Sequence, residues 1–230
     1  MIEKTKQLVA ELMKNEDSGH GMDHVMRVYA LAMKFAQTET CDKNIVALGA
    51  LLHDVDDYKL FGTKNQAELT NTRIILDKLG ADNQTQQKVL DIVKTIGYTK
   101  RLKGIFPTSI EGKIVSDADM CDAAGAMGII RTFQYSIKFG KPFFNKDIWP
   151  DEDIIAGRSL KKASDTAVCH FFEKLLKLKN FMLTDSGKQE AAERHRAFTS
   201  FLRQVFREEN APEWEEYLDK YLEKNEEIEL

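Results

Sequence analysis

Hydrophobic positions recur at three- and four-residue spacing along most of the chain, the pattern of helices with one buried face. Ile2, Val9, Leu12 and Met13 form such a stripe over residues 2 to 14, and Val25, Val28, Ala32 and Phe35 form another over 22 to 37. Asp42 stands where a carboxylate would accept the free N–H groups of a first helical turn, which predicts a helix from Lys43 to about Asp54. Further helices are predicted over about Asn65–Leu79, stopped by Gly80, and from a cap at Asp82 to Ile96–Gly97. A loop containing "YTKRLKGIFPTS" follows, then a long helix over about Glu111–Phe139, broken near its start or middle. The stretch 140–160 reads as an extended loop. Helices over about Asp165–Leu178, Asp185–Glu208 and Pro212–Lys224 come next, and the last residues, "EKNEEIEL", are expected to fray. No strand alternation, repeat or low-complexity linker interrupts this pattern. The expected architecture is all-α: one domain over 1–230, with a core over about 18–135 and a C-terminal helical extension over about 160–225 packed on it.

Composition narrows the class. With 43% apolar and 30% charged residues among 230, the chain has the balance of a globular protein with one sizeable core. No apolar run approaches the roughly 20 residues needed to span a bilayer. The N-terminus mixes charged and apolar residues throughout, so neither a membrane anchor nor a signal peptide is expected. Cys41, Cys121 and Cys169 are far apart and form no CxxC pair, which argues against a cysteine zinc site and a disulfide framework. A cytoplasmic location is expected. The net charge of −4 argues against broad nucleic-acid binding, while a local basic pocket for a small anion is compatible with it. A homo-oligomer is left open.

Polar groups set into apolar helices carry the candidate chemistry. In "HGMDHVMRV" His20 and His24 are four residues apart, on one helical face, and Arg27 follows His24 by three. In "GALLHDVDDYKLFG" the pair His53–Asp54 ends an apolar helix. Asp119 sits among apolar and small residues, where an unpaired carboxylate is costly. Ala123, Ala124, Gly125, Ala126 and Gly128 beside it would let another backbone come close. Together His24, His53, Asp54 and Asp119 would make a mixed nitrogen–oxygen site for a divalent ion, with positions left for water and substrate.

The order H…HD…D on helices resembles the HD superfamily of metal-dependent phosphohydrolases. The likeness extends to its small stand-alone bacterial YedJ-like branch through four segments in order: His20–Val28, His53–Lys59 ("HDVDDYK"), Asp117–Phe133 ("DADMCDAAGAMGIIRTF") and His170–His195. The resemblance implies an HD-domain helical bundle. It also implies metal ligands at His24, His53, Asp54 and Asp119, and a cofactor of one divalent ion: Mn, Mg, Fe, Co, Ni or Zn. The implied reaction is hydrolysis of a small anionic phosphate ester, a nucleotide or related metabolite, by attack of metal-bound water.

Asp57, four residues after His53, is the expected base or orienter of that water. Lys59 is the expected catalytic contact to phosphate, and His20 and Arg27 are expected to bind substrate. The alternative is a metal-containing module that binds a ligand or signals without turnover. No histidine lies between His53 and His170, so one ion per chain is expected rather than two. That sets the chain apart from the inositol-oxygenase and HD-GYP kinds. Alarmone hydrolases carry HDxxED; here Asp57 matches their Glu, but Tyr58 replaces their Asp. Met120–Cys121 stands where relatives usually carry Arg-Leu. Lys100, Arg101 and Lys103 are expected on a solvated loop, and His170 and His195 are expected to be structural.

Overall fold

Helix follows helix through the computed structural model, which describes residues 1–14, 21–157 and 164–226. Among the described residues there is no strand, as the spacing of apolar positions predicts. The chain divides into two compact units, Met1–Asp122 and Ala123–Leu230.

The first unit contains α1 (Ile2–Leu12), α2 (Met22–Phe35), α3 (Lys43–Leu52), α4 (Tyr58–Glu68), α5 (Thr70–Lys78), α6 (Asn83–Thr95), α7 (Tyr98–Leu102) and α8 (Ile110–Asp122). Asp42 and Asp82 cap as expected. The Asp42 carboxylate accepts N–H bonds from Asn44 at 3.0 Å and Ile45 at 3.3 Å, and that of Asp82 accepts one from Thr85 at 2.9 Å. Helices α2, α3 and α8 pack on one another, and α3 also rests on α1 and α6. Leu48, Leu51, Leu52, Ile92 and Ile114 are fully buried there, each contributing about 1.5–3 kcal/mol of hydrophobic stabilisation. A Cβ at Gly49 would stand 3.2 Å from Ile92 Cγ2 and 3.4 Å from Val115 Cγ2. This glycine is what lets α3 lie so close to α6 and α8.

One predicted helix is cut. The expected Asn65–Leu79 element is interrupted at Leu69, whose φ is 53°, and α4 is itself kinked at Gly62. The cause lies outside the segment. Asp56 reaches across to accept the N–H groups of Asn71 at 2.8 Å and Thr72 at 2.9 Å, and the Thr72 hydroxyl at 2.7 Å. A carboxylate distant in sequence thus caps the first turn of α5, and a new helix starts there.

The second unit contains α9 (Gly125–Lys138), α10 (Glu152–Ile155), α11 (Ala167–Glu173), a 3-10 helix (Leu175–Phe181), α12 (Asp185–Glu208) and α13 (Pro212–Glu226). The long helix expected over 111–139 breaks at Ala123–Ala124, with Gly125 at φ +73°. The helix expected over 165–178 is shorter, because it tightens into the 3-10 helix after Lys174. The expected 140–160 loop holds the short α10, capped by Asp151. Helix α12 packs on α9, α13 and the 3-10 helix, around the buried rings of Phe171, Phe172, Phe198, Phe206 and Trp214. Residues 158–160 of that loop and 227–230 of the expected frayed end lie outside the described residues, while 223–226 of that end continue α13 as helix.

Candidate metal centre

Helices α2 and α8 each project two polar side chains one turn apart. His24 and Arg27 on α2 meet Asp119 and Asp122 on α8, with His24 Nε2 3.5 Å from Asp119 Oδ1 and Arg27 bonded to Asp122 through Nε at 2.7 Å and Nη2 at 3.0 Å. The end of α3 supplies His53, and the turn beyond it Asp54. Asp54 Oδ2 is 3.4 Å from His24 Nε2 and 3.7 Å from His53 Nε2, and Asp119 Oδ1 is also 3.7 Å from His53 Nε2. The two imidazoles are buried, at 2% and 6% exposure, and their Nε2 atoms are only 3.1 Å apart.

The partners of the other ring nitrogens decide what this convergence means. His53 Nδ1 lies 2.8 Å from the Ala50 carbonyl oxygen, which can only accept, so Nδ1 carries the proton. His24 Nδ1 lies 2.7 Å from Asp122 Oδ2, a carboxylate that likewise accepts. In both neutral rings Nε2 is therefore a bare lone pair. The ligand atoms of His24, His53 and Asp119 all lie within 4.8 Å of one another, with Asp54 beside the two imidazoles, and lone pairs gathered so closely with carboxylates repel unless a cation lies among them. The spacing suits one: atoms about 2.1 Å from a single ion lie about 3.0 Å apart at right angles and about 3.4 Å apart at the tetrahedral angle. Without such an ion a proton takes its place. Burial works against a charged His24, but the carboxylates of Asp122, Asp54 and Asp119 more than offset this and push its pKa up to about 9.

The sequence missed Asp122. It is buried at 2% exposure and joins His24 to Arg27, so it fixes the tautomer and orientation of a candidate ligand. Its signal was present as a carboxylate one turn after Asp119, matching Arg27 one turn after His24. Arg27, expected to contact substrate, has two of its donors engaged by Asp122. Asp57 is half-buried just before α4, and its N–H bonds the Asp54 carbonyl at 3.1 Å. Lys59 lies in the first turn of α4; its side chain and His20 are outside the described residues.

The solvated loop expected around Lys100 is corrected by α7, a short helix between Gly97 (φ +126°) and Gly104 (φ +73°). Lys103 is exposed, but Lys100 is half-buried. Desolvation pulls the Lys100 pKa down, while the charges of Asp57 and Asp54 act in the opposite direction. Its Nζ donates to the Val93 carbonyl at 3.3 Å.

This geometry can be set beside known proteins. The HD domain family matches residues 21–124, from the start of α2 to just past α8. YpgQ, an uncharacterized protein of Bacillus subtilis, is 33% identical over 207 residues, covering 88% of this chain and 91% of its own. An HD-superfamily hydrolase from Bacillus thuringiensis superposes with a TM-score of 0.72 at 34% identity, covering 91% of this chain and 97% of that one. The chain belongs to the HD superfamily. A Lactobacillus plantarum protein superposes at a TM-score of 0.76 and 31% identity over 91% of this chain and 97% of its own. YpgQ has been crystallised in complex with ADP, and that structure matches at a TM-score of 0.67 and 29% identity over 89% and 97% of the two chains. His53 and Asp54 lie within the matched residues. No described helix is long and apolar enough to cross a membrane.

Proposed function

We propose that this HD-superfamily protein is a metal-dependent phosphohydrolase acting on a small phosphate ester, with a nucleotide as the substrate class. The observation that carries the reading is the pair of imidazole Nε2 atoms 3.1 Å apart, with the carboxylates of Asp54 and Asp119 close by and both Nδ1 atoms tied back. His24, His53, Asp54 and Asp119 would hold the cation. When bound, a divalent ion there supplies Lewis acidity at a phosphoryl oxygen and lowers the pKa of a coordinated water.

The chain's own groups divide the remaining work. In hydrolysis the water oxygen forms a bond to phosphorus and the bond from phosphorus to the leaving oxygen breaks. The attacking water loses a proton, and the leaving oxygen gains one from solvent. Asp57, one turn past His53 and half-buried, is our candidate to accept the water's proton. Asp122 holds the His24 proton at Nδ1, and Arg27 holds Asp122, so Arg27 is assigned as a positioning residue. Lys59 and His20 remain candidates for phosphate contacts. The ADP complex of YpgQ, a relative over most of both chains, supports nucleotides as the class to try first.

The test is direct. Protein purified without chelator is assayed for metal by plasma emission, then loaded with Mn²⁺, Mg²⁺, Co²⁺ or Zn²⁺ and offered nucleoside mono-, di- and triphosphates. The reading expects bound metal, release of phosphate or pyrophosphate, and loss of both in His53→Ala and Asp54→Ala. Protein that takes up no metal, or metal-loaded protein that releases neither product from any nucleotide, would sink it.

A further inference from the structure

Helix α9 in the second unit is turned inside out. Its buried positions are Gly125, Gly128, Thr132 and Ser136, all small or polar, and α12 packs on it. A Cβ at Gly128 would stand 2.9 Å from Phe198 Cζ, so the small face lets α12 come close. The large apolar residues lie on another side. Ile130, Phe133 and Ile137 are 48%, 45% and 63% exposed, although an amphipathic helix ordinarily keeps such residues inside. The Phe133 ring meets Phe143 edge-on at 5.8 Å, which fixes its direction. Ala126, exposed one turn before Ile130, completes a stripe spaced by four, three and four residues. That is the spacing of a coiled-coil seam, which a second helix of the same spacing covers.

The stripe is complementary to itself. Two copies of α9 laid antiparallel about a two-fold axis between Arg131 and Thr132 bring Ile130 opposite the partner's Phe133 and Ala126 opposite the partner's Ile137. The smallest member of the stripe then meets the most exposed one, and symmetry repeats each layer, as an isologous contact requires. The area suffices for a weak dimer. Large side chains bury roughly 150–250 Å² each, so three at about half exposure leave roughly 300 Å² bare per copy and roughly 600 Å² over two. A specific interface of about 1,000 Å², near the lower bound, is about 60% apolar. The two stripes supply that apolar share. The α9 sequence holds Arg131 and Lys138 and no acid, so apolar surface rather than charge drives the contact.

We propose that the exposed stripe of α9 is a self-association surface through which two copies of this chain form a weak two-fold dimer. Sedimentation equilibrium of the full chain from about 1 to about 200 µM tests it, with an expected Kd on the order of 10 µM. The affinity should change little in about 0.5 M NaCl, where exposed charges are screened. Phe133→Glu and Ile137→Glu should each weaken pairing at least about 10-fold, because a carboxylate would be buried in the seam. Tyr135→Ser, at an exposed aromatic of α9 that lies off the stripe, should leave it unchanged. Adding Ala126→Lys to Ile137→Glu should restore part of the loss, since those two positions face each other across the axis. Far-UV circular dichroism checks that each variant is folded. A chain that stays monomeric at about 200 µM, or a dimer that Ile137→Glu leaves intact, overturns the assignment. So does a dimer that dissolves in about 0.5 M NaCl, or a double variant that pairs no more tightly than Ile137→Glu alone.

Discussion

Replacing Asp122 with alanine removes the acceptor of three short contacts: from His24 Nδ1 and Arg27 Nε at 2.7 Å and from Arg27 Nη2 at 3.0 Å. Breaking a buried ion pair by removing one partner costs about 3–5 kcal/mol. The Arg27 side chain is 33% exposed, so its orphaned guanidinium can turn toward water, and the cost falls to about 2–3 kcal/mol. Metal binding suffers separately. Without Asp122 the His24 proton is free to move to Nε2, the atom a cation needs, and affinity should fall about 10- to 100-fold. Asp122→Asn should lie between, because one amide oxygen replaces two acceptors and the amide NH₂ faces N–H donors. Urea unfolding in excess chelator isolates the stability effect, and chelator competition for Mn²⁺ in buffer gives the affinity. An Asp122→Ala protein that binds Mn²⁺ within twofold of wild type would refute the inferred role of Asp122 in holding His24.

Proton competition gives a second test. With the His24 pKa pushed up to about 9, cation binding expels one proton, so Mn²⁺ affinity should rise about tenfold per pH unit from pH 7 and level off near 9; a flat profile would contradict this. The same raised value has a sign for the metal-free protein: the His24 contribution to stability is complete below 6.5 and is lost as pH climbs toward 9. In the second unit burial pulls His170 down to about 3 and His195 to about 4. The unfolded chain therefore takes up protons first, and stability should drop as pH falls below 6.5. His195 Nε2 is buried with no hydrogen-bond partner, so His195→Leu should reduce that acid sensitivity at little cost near pH 7, as thermal melts at pH 7 and 5 would show. Asp56→Ala should cost about 2–4 kcal/mol by uncapping α5 and leaving three donors unmet, measured by urea unfolding; a loss under 0.5 kcal/mol would show that α5 caps itself.

Much of the helical frame was legible because its signals are local. Asp42 and Asp82 cap residues two or three positions ahead, and apolar stripes in α2 and α3 fix their buried faces. What escaped reading depends on distance in the chain. The start of α5 is written at Asp56, and the half-buried Lys100 bonds the Val93 carbonyl of α6. For the candidate centre, His24, His53 and Asp119 come together, with Asp54 beside the imidazoles, because a buried carboxylate or imidazole in an apolar helix needs a partner. Asp122 escaped because its partner Arg27 was assigned to substrate, although the matched three-residue spacings on α2 and α8 already paired them.

The Asp56 clamp has an evolutionary consequence. By gripping Asn71 and Thr72, it pins together the two ends of the excursion that holds Gly62 and Leu69, much as a drawstring closes a bag. What happens inside the bag need not disturb the neck. Lengthening a flexible excursion is cheap, about 0.6 kcal/mol for each doubling. The stretch from Tyr58 to Glu68 can therefore lengthen while His53 and Asp54 stay at the neck.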